Sequence, residues 1–473
     1  MEELKNEDII NAFRKLQTTV FYDKSNLILR HRIAKYTEKI KSDKDWDNTI
    51  INAINNINKD SEFNNWLEDM RIVYYPKKVS NPNKTDDTPS NFISNEIYDG
   101  AITIDRLGIF VDMPVELYII DVLWVLKYGV ALDGILSNCC YGNRLLIEKK
   151  VEEDGKESLT SPKGKWLYKR YIGQYQSWWG NGINKAEEVL HKDNEDVIIF
   201  TFDIKDYYHS IHFSYQELLS AVAKCLNIDE FEVKNDPVWI CFEKIYEKYW
   251  ELSKKSDLNQ FVSIDDKHGP IPISLQSSPI IANWYLKNFD EYIKHEYNCL
   301  YYGRYVDDIL FVLRKSQNEK VNDISCALKT YFHNIVNINE TTNKPNVSND
   351  KQYEFCENIY SNKLSKEANE QLQNHLKSLR FQDKKIFCYV FDKDTPSLIL
   401  EKFVEEQRER SSEYRFMSDE MDTHLSSFDK LQLDTCFDYE DEAKGRFKNI
   451  EDNKFQISVF LSKFSKRLIE KGS

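Results

Sequence analysis

The sequence predicts an α+β protein made of two or three lobes. Its 473 residues are too many for one compact core, and apolar residues make up 41% of them, enough for a large buried interior. Apolar side chains recur every three to four positions through residues 1–70, which indicates helices. Two apolar runs, VIIFTFDI at 197–204 and YGRYVDDILFVL at 302–313, indicate strands, and the second contains a tight turn.

The region between these helices and strands has mixed character. RIVYYPKK (71–78) is typical of a strand that ends at Pro76, and AITIDRLGIFVDM (101–113) is typical of a second strand. The residues between them are rich in Asn, Asp, Ser and Pro, as in a loop. VELYIIDVLWVLKYGVAL (115–132) is strongly apolar, which predicts a buried helix.

Local signals mark the start of two further helices. Ser214 and Glu217 form a capping box, and Ser278 followed by Pro279 has the pattern of an N-cap with proline in the first turn. From about residue 361 onward the sequence is charged and is predicted to be mostly helical.

Composition argues against secretion and membrane insertion. The first residues have the pattern of an amphipathic helix rather than a signal peptide, and no run of 18 apolar residues occurs. The nine cysteines include no CxxC pair, and Cys139 and Cys140 are adjacent. We therefore expect reduced, buried thiols in a cytoplasmic protein without a membrane partner.

The formal net charge of −14, taken alone, argues against binding to nucleic acid. Basic residues nevertheless cluster at Lys77–Lys78 and between Lys163 and Arg170, whereas acids accumulate from Glu401 to Glu442. A basic channel inside an acidic surface therefore stays open as an interpretation. Aromatic residues at 166–179 either pack in a core or stack on bases.

Three acidic residues stand where folding alone would not place them. Asp203 ends an apolar strand, and Asp307 and Asp308 lie between apolar strands. Buried carboxylates are costly unless they are paired or bind metal, and neighbouring like charges add to that cost. Two Mg²⁺ ions held by such acids are a known solution for phosphoryl transfer. The alternative is that Asp307–Asp308 is a solvated hairpin turn, since Asp favours turns.

The order of three segments resembles the palm of reverse transcriptases. DIKDYYHSI (203–211) is similar to that family's first carboxylate motif, PIPISLQSSPIIANWYLKNFD (270–290) to its second, and RYVDDILF (304–311) to its third. The resemblance implies a right-hand polymerase: fingers, a palm of antiparallel sheet backed by helices, and a mostly helical C-terminal thumb-like domain.

The same resemblance implies three domains. Residues 1–196 would form the N-terminal helical region and fingers, 197–360 the palm, and 361–473 the helical thumb or C-terminal domain. Part of 214–268 would join the fingers.

The resemblance also implies the metal ligands. Asp203 and Asp307 would bind Mg²⁺, or alternatively Mn²⁺, and Asp308 would be the third catalytic acid. The backbone carbonyl of Ile204 would be a further ligand.

Other matched positions imply a nucleotide site. Tyr208, five positions after the first acid, would border the sugar 2′ position and select deoxynucleotides. Lys77, Lys78 and Arg106 would neutralise the triphosphate, and Lys344 would be the lysine of the family's fourth motif. The alternatives are ordinary packing for Tyr208 and ordinary surface charge for the basic residues.

One departure from the family's pattern concerns the second motif. Ile273–Ser274 stands where the family usually has Gln-Gly. Glycine there lets the backbone approach the nascent base pair. Ser274 is therefore expected to narrow the nucleotide site or to change how a template is handled.

The chain lacks the Val-Thr-Gly signature of retron enzymes and any evident maturase, nuclease or ribonuclease H segment, and most resembles prokaryotic defence-associated and abortive-infection reverse transcriptases. The resemblance implies an RNA-directed DNA polymerase, a nucleotidyltransferase in antiviral defence. It would use deoxynucleoside triphosphates with an RNA template or noncoding RNA, make a DNA product, and assemble as a homo-oligomer.

Three alternatives stay open. The same site could make DNA without a template or from a protein hydroxyl. The chain could instead be a catalytically idle RNA-binding or sensor protein with a polymerase fold. An RNA polymerase of related palm design is the third, although such enzymes usually carry Gly-Asp-Asp.

Overall fold

A computed structural model of the chain provides the fold. It describes residues 4–22, 27–57, 59, 62–80, 103–151, 157–162, 164–256, 264, 267–315, 321–340 and 351–393.

Four helices occupy the N-terminal region, where the apolar periodicity predicts them. In the first helix, Ile9, Phe13, Leu16 and Val20 fall on one face and are buried, which is the spacing of an amphipathic helix packed on a core. The helices are α1 (Asn6–Tyr22), α2 (Leu27–Ser42), α3 (Trp46–Asn55) and α4 (Glu62–Glu68).

An antiparallel hairpin follows, and it confirms the presence of both strands predicted in this region. The predicted end of the first strand at Pro76 is wrong, since the strand continues to Ser80. The register shifts after Pro76, a residue that has no backbone N–H for the ladder. At the base of the hairpin, buried Asp112 accepts hydrogen bonds from the guanidinium groups of Arg32 and Arg71, which fixes the hairpin to α2. The strands are β1 (Arg71–Ser80) and β2 (Thr103–Asp112).

The apolar run at 115–132 forms the buried helix that the sequence predicts. Every residue of α5 (Val115–Trp124) is buried, and the helix continues through a π-helical turn at Val125–Gly129 into α6 (Val130–Gly134). A helix that is apolar on all sides belongs in the interior of a lobe.

A second hairpin and a long helix connect this helix to the centre of the chain. Of the aromatic residues at 166–179, Tyr175, Trp178 and Trp179 are buried in the core. Packing is therefore the correct interpretation for these three. The elements are β3 (Glu148–Val151), β4 (Glu157–Thr160) and α7 (Tyr171–Glu188), which ends in a π-helical turn at Val189–Asp193.

The two predicted helix starts have different outcomes. Ser214 caps its helix by accepting the Glu217 amide at 3.2 Å, as predicted. Ser278 is already the first helical residue and not the cap, because Ser277 precedes it in helical conformation. The elements here are β5 (Val197–Asp203), α8 (Tyr207–Ser210), β6 (Phe213–Ser214), α9 (Tyr215–Leu226), α10 (Glu230–Lys234), α11 (Pro237–Lys254), β7 (His268–Gly269), α12 (Ser278–Tyr285) and α13 (Lys287–Glu296).

The predicted strand–turn–strand unit is present and is followed by the last described elements. These are β8 (Tyr301–Tyr305), β9 (Asp308–Arg314), α14 (Ile324–Tyr331), β10 (Val336–Glu340), β11 (Lys351–Phe355), α15 (Lys366–Leu376) and β12 (Phe387–Phe391).

Four of the described strands form the central antiparallel sheet, in the order β12–β5–β9–β8. β5 and β8 are parallel with β9 between them, and β9 and β12 are parallel with β5 between them. Two β–helix–β units are therefore interleaved, as in split βαβ folds. Six of the seven β5 residues are buried, because both faces of the sheet are covered. The fold class is α+β, as the sequence predicts.

The prediction of a mostly helical segment from 361 onward is only partly correct. α15 lies where a helix was expected, but β12 is a strand that pairs with β5 in the central sheet. The predicted domain boundary at 361 would therefore place the edge strand β12 in a different domain from the sheet in which it pairs. Residues 394–473, the rest of the expected helical domain, lie outside the described residues.

Within the ranges that the structure describes, every helix is too short or too polar to cross a bilayer. Cys139 and Cys140 are free thiols. Burial raises the pKa of Cys139 to about 12 and that of Cys140 to about 11. Both are therefore unreactive at neutral pH, since the thiolate is the nucleophile.

Candidate active site

The three candidate catalytic acids lie at one end of the central sheet. Asp203 ends β5, and its Cα is paired with that of Asp308, the first residue of β9. Asp307 lies in the two-residue turn between β8 and β9, where its carbonyl accepts the Ile204 amide at 3.2 Å. Strand pairing thus brings together acids that are more than a hundred positions apart in sequence.

The acids differ in exposure. Asp203 is 6% exposed, whereas Asp307 and Asp308 are half-buried. The side chain of Ile204 is fully buried, so this residue contributes to the site through its backbone alone. The cluster is therefore accessible from the side of the turn, with Asp203 set deeper.

The turn that carries Asp307 is strained. Val306 has a φ of 58°, and a β-branched residue is an outlier in this left-handed region. Such conformations cost about 1–3 kcal/mol and persist only where the surroundings enforce them. One enforcing contact is a hydrogen bond of 2.7 Å from Nη1 of Arg304 to the Val306 carbonyl.

Arg304 is a fully buried cation beneath this turn. Its guanidinium pairs with both oxygens of Asp290, at 2.9 and 2.7 Å, and donates to Oδ1 of Asn283 at 3.1 Å. Burial alone would lower the pKa of Arg304, but Asp290, with Cys140 and Tyr302, outweighs burial, and the pKa is raised well above its usual value. Since its donors are taken up by the protein, we infer that Arg304 holds the turn and does not contact substrate.

A loop from the N-terminal half supports the turn from a second side. The Arg304 amide donates to the Cys139 carbonyl at 2.7 Å, and the Tyr141 amide donates to the Arg304 carbonyl at 2.8 Å. A Cβ atom on Gly142 would lie only 2.7 Å from the Val306 amide nitrogen. The turn and the loop fit together only because residue 142 has no side chain.

Lys385 is a site residue that the sequence analysis missed. Its Nζ donates to Oδ2 of Asp203 at 2.5 Å. Burial would lower the pKa of Lys385, but Asp203 and then Asp308 and Asp307 outweigh burial, and the pKa is raised. The ammonium is therefore charged at neutral pH and is attracted by all three acids.

The oxygen donors of the cluster decide whether it suits a divalent cation. In the described ranges, no three His, Cys, Asp or Glu side chains form a group spaced to hold a metal ion. In this cluster, however, the ammonium of Lys385 already occupies Asp203 as a stand-in cation. Carboxylate and carbonyl oxygens are also the ligands that Mg²⁺ prefers. The oxygen donors of the cluster are therefore of the kind that binds Mg²⁺ or Mn²⁺. The ammonium of Lys385 is the cation that contacts them in this structure.

Ser274 adopts a conformation that favours glycine. Its φ is 108°, which strains a residue with a side chain. Its buried Oγ also finds no hydrogen-bond partner among the described residues. Glycine is usual at this position in the resembled family, and glycine adopts a φ of this value without strain.

The loop that carries Ser274 is tied to the N-terminal lobe. The Val111 amide at the end of β2 donates to the Ile273 carbonyl at 3.4 Å. The amides of Gln276 and Ser277 donate to one oxygen of Asp121 in α5, at 2.6 and 3.2 Å. Burial raises the pKa of Asp121 to about 6 although these hydrogen bonds oppose the shift. The anchors on both sides hold Ser274 in its strained conformation.

Replacing Ser274 with glycine is expected to raise the free energy of unfolding by about 1 kcal/mol, because strain is removed and a buried hydroxyl without a partner is lost. Denaturant unfolding monitored by circular dichroism would measure the change. The matched control is Ser210→Gly, since Ser210 ends α8 and its hydroxyl donates to the Lys205 carbonyl at 3.0 Å. The free energy of unfolding of Ser210→Gly should fall. A fall for Ser274→Gly as well would refute the conclusion that the Ser274 backbone is strained.

Tyr208 lies next to the Ser274 loop. Its carbonyl accepts the Ile271 amide at 3.1 Å. The adjacent Tyr207 is buried and donates to the Ala282 carbonyl at 2.6 Å. Tyr208 is half-buried. It packs against the core and against the ring of Tyr207, at 6.1 Å between ring centroids, and part of its surface stays accessible. Its contact with a sugar stays a prediction.

The basic residues predicted to bind triphosphate are described only in part. Lys78 and Arg106 are Cα partners in the β1–β2 hairpin. The side chains of Lys77, Lys78 and Arg106, and the whole of Lys344, lie outside the described residues. Their phosphate contacts stay a prediction.

No protein-family model and no curated protein matches this chain. Its class therefore rests on the motifs and on the geometry of the carboxylate cluster.

Proposed function

We propose that the chain is a polymerase of the reverse transcriptase type, which adds deoxynucleotides to a 3′-hydroxyl. The observation that supports this most is the pairing of Asp203 with Asp308 beside the strained turn of Asp307. Acids on adjacent antiparallel strands, in the motif order of that family, are an arrangement that could hold the two metal ions of in-line phosphoryl transfer.

The described elements support a right-hand arrangement. The four-stranded sheet would be the palm, and the N-terminal helices with the β1–β2 hairpin would belong to the fingers. The hydrogen bond from Val111 to Ile273 links this hairpin to the loop that carries Ser274. The thumb would follow β12, among residues that lie outside the described ranges.

Each site residue then has a defined task. Asp203, Asp307 and Asp308 would hold two Mg²⁺ ions, with the Ile204 carbonyl as a further oxygen. When bound, the ions would activate the 3′-hydroxyl and stabilise the leaving group. Arg304 fixes the turn, and Tyr208 would exclude a 2′-hydroxyl.

The proposed setting is antiphage defence with a noncoding RNA, in which the RNA is template or scaffold and the protein is a homo-oligomer. The similarity of the motifs to defence-associated reverse transcriptases supports this setting.

A specific observation favours a second candidate, untemplated DNA synthesis. Ser274 keeps a side chain where a close approach of backbone to the base pair would require glycine. That side chain would interfere with a templated pair more than with a single incoming nucleotide.

Nucleotide incorporation by the purified protein with Mg²⁺ tests the proposal. Each deoxynucleotide and ribonucleotide is offered singly and together, with and without co-purifying RNA, and with a chelator. Incorporation of deoxynucleotides only with RNA and metal would support RNA-directed synthesis. Failure of ribonucleotides to be incorporated would support the proposed role of Tyr208. Incorporation of one deoxynucleotide without RNA would favour the second candidate. Absence of incorporation under every condition would contradict both and favour an idle polymerase fold.

A further inference from the structure

Lys385 is held beside Asp203 by the backbone of the sheet. The Gln382 amide donates to the Asp203 carbonyl at 2.8 Å, and the Lys385 amide donates to the Gln382 carbonyl at 2.8 Å. The short 3-10 turn at Asp383–Lys385 then leads into β12, which pairs with β5. The fold therefore fixes the backbone of Lys385 at a position from which its ammonium reaches Asp203.

The ammonium is close enough to influence the whole cluster. It contacts Asp203 at 2.5 Å, and the Lys385 side chain is 42% exposed whereas that of Asp203 is 8% exposed. Because Asp203 is nearly buried, this ion pair is less screened than a surface pair. The lysine side chain is long and partly in solvent, so the ammonium can withdraw without moving the sheet.

A divalent ion and the ammonium would compete for the same carboxylate. Mg²⁺ binds carboxylate oxygens at about 2.0–2.1 Å, and Nζ already lies 2.5 Å from Oδ2 of Asp203. Two cations on that oxygen would lie at most about 5 Å apart, where like charges repel strongly near a protein surface.

We propose that Lys385 is a resident counter-cation that competes with divalent metal ions for the Asp203 cluster, so that an entering ion displaces the ammonium. This inference extends the proposed function, on which it rests. It follows that the protein without nucleotide binds metal weakly. A triphosphate adds oxygen ligands that a free ion lacks, so stable metal occupancy would follow nucleotide binding.

Binding of Mn²⁺ to the nucleotide-free protein, measured by electron paramagnetic resonance, tests the competition. Lys385→Met is expected to bind Mn²⁺ about tenfold more tightly than the wild type, because a competing charge is gone. Lys385→Arg keeps the charge and should bind as weakly as the wild type. Lys384→Met is the matched control, since Lys384 is the exposed neighbour in the same turn and its loss should change nothing.

A second measurement uses the wild-type protein, in case removal of the ammonium prevents folding. Lysine acylation is quantified by mass spectrometry with and without saturating Mn²⁺. Displacement from Asp203 should increase the labelling of Lys385 several-fold, with Lys384 as the internal reference. Unchanged labelling of Lys385 under saturating Mn²⁺ would overturn the proposal.

The outcomes separate the inference from the function on which it rests. Equal Mn²⁺ affinity in wild type and Lys385→Met would overturn the role of Lys385 and leave the metal site standing. Absence of Mn²⁺ binding in both proteins would overturn the metal site itself. Binding in Lys385→Met alone would support the competition most directly.

Discussion

Replacement of Asp307 with alanine is expected to reduce nucleotide incorporation by roughly a thousandfold or more, since bound metal ions contribute several kcal/mol to phosphoryl transfer. Asp307 lies in the turn, and its neighbours Asp203 and Asp308 are paired across adjacent strands. Loss of this acid would remove a proposed metal ligand without removing a strand. Single-turnover incorporation at saturating Mg²⁺ and nucleotide would measure the effect.

The same variant should fold normally. Removal of one of three neighbouring like charges relieves repulsion, so the thermal midpoint is expected to stay unchanged or to rise. Asp383→Ala is the matched control, since Asp383 is an exposed acid in the turn that leads to Lys385 and its loss should leave incorporation intact. Retained incorporation by Asp307→Ala would show that the active site lies elsewhere.

The sequence predicts the parts of the site that depend on local pattern. The apolar run before Asp203 and the strand–turn–strand unit around Asp307 each carry their own signal, and both form the expected strands. The sequence also shows that Ser274 stands where the resembled family usually has glycine. Glycine at a motif position indicates a constraint on the backbone. The φ of 108° at Ser274 is such a constraint, because it is a backbone conformation that favours glycine.

Contacts between distant segments explain what the sequence could not predict. FCYVF at 387–391 is a short apolar run in a charged, helical region, and only its pairing with β5 makes it a strand of the central sheet. Lys385 lies 182 positions after Asp203, so no local spacing connects the two. The sequence shows Arg304 within a motif, but its burial depends on Asp290 and Asn283.

Two cations therefore act on the carboxylate cluster from different sides. Arg304 is buried, is saturated by hydrogen bonds and fixes the backbone of the turn. Lys385 is half-exposed and contacts a carboxylate directly, and an entering metal ion would displace it under the competition proposed above. Arg304, the fixed cation under the turn, therefore sets the geometry of the site. Lys385, the proposed exchangeable cation, would determine whether the acids hold an ammonium or a metal ion.

The fixed geometry leads to the second large effect, at Gly142. Gly142→Ala is expected to lower incorporation by about a hundredfold, because a misplacement of about 1 Å at reacting groups has that consequence. The new Cβ would lie 2.7 Å from both the amide nitrogen and Cγ2 of Val306, and 3.0 Å from the Tyr305 carbonyl carbon. Backbone atoms cannot rotate away, so the turn itself must shift, and Asp307 shifts with it.

Gly180→Ala is the matched control for this prediction. Gly180 lies within α7, and a Cβ there would meet nothing within 4 Å. Alanine in a helix is more stable than glycine by about 0.5–1 kcal/mol, so this variant should keep full incorporation and melt at the same or a higher temperature. If both variants incorporate nucleotides at the wild-type rate, the position of the turn does not limit the reaction. If Gly142→Ala incorporates nucleotides slowly but keeps its thermal midpoint within a few degrees, the loss of incorporation comes from displacement of the turn and not from unfolding.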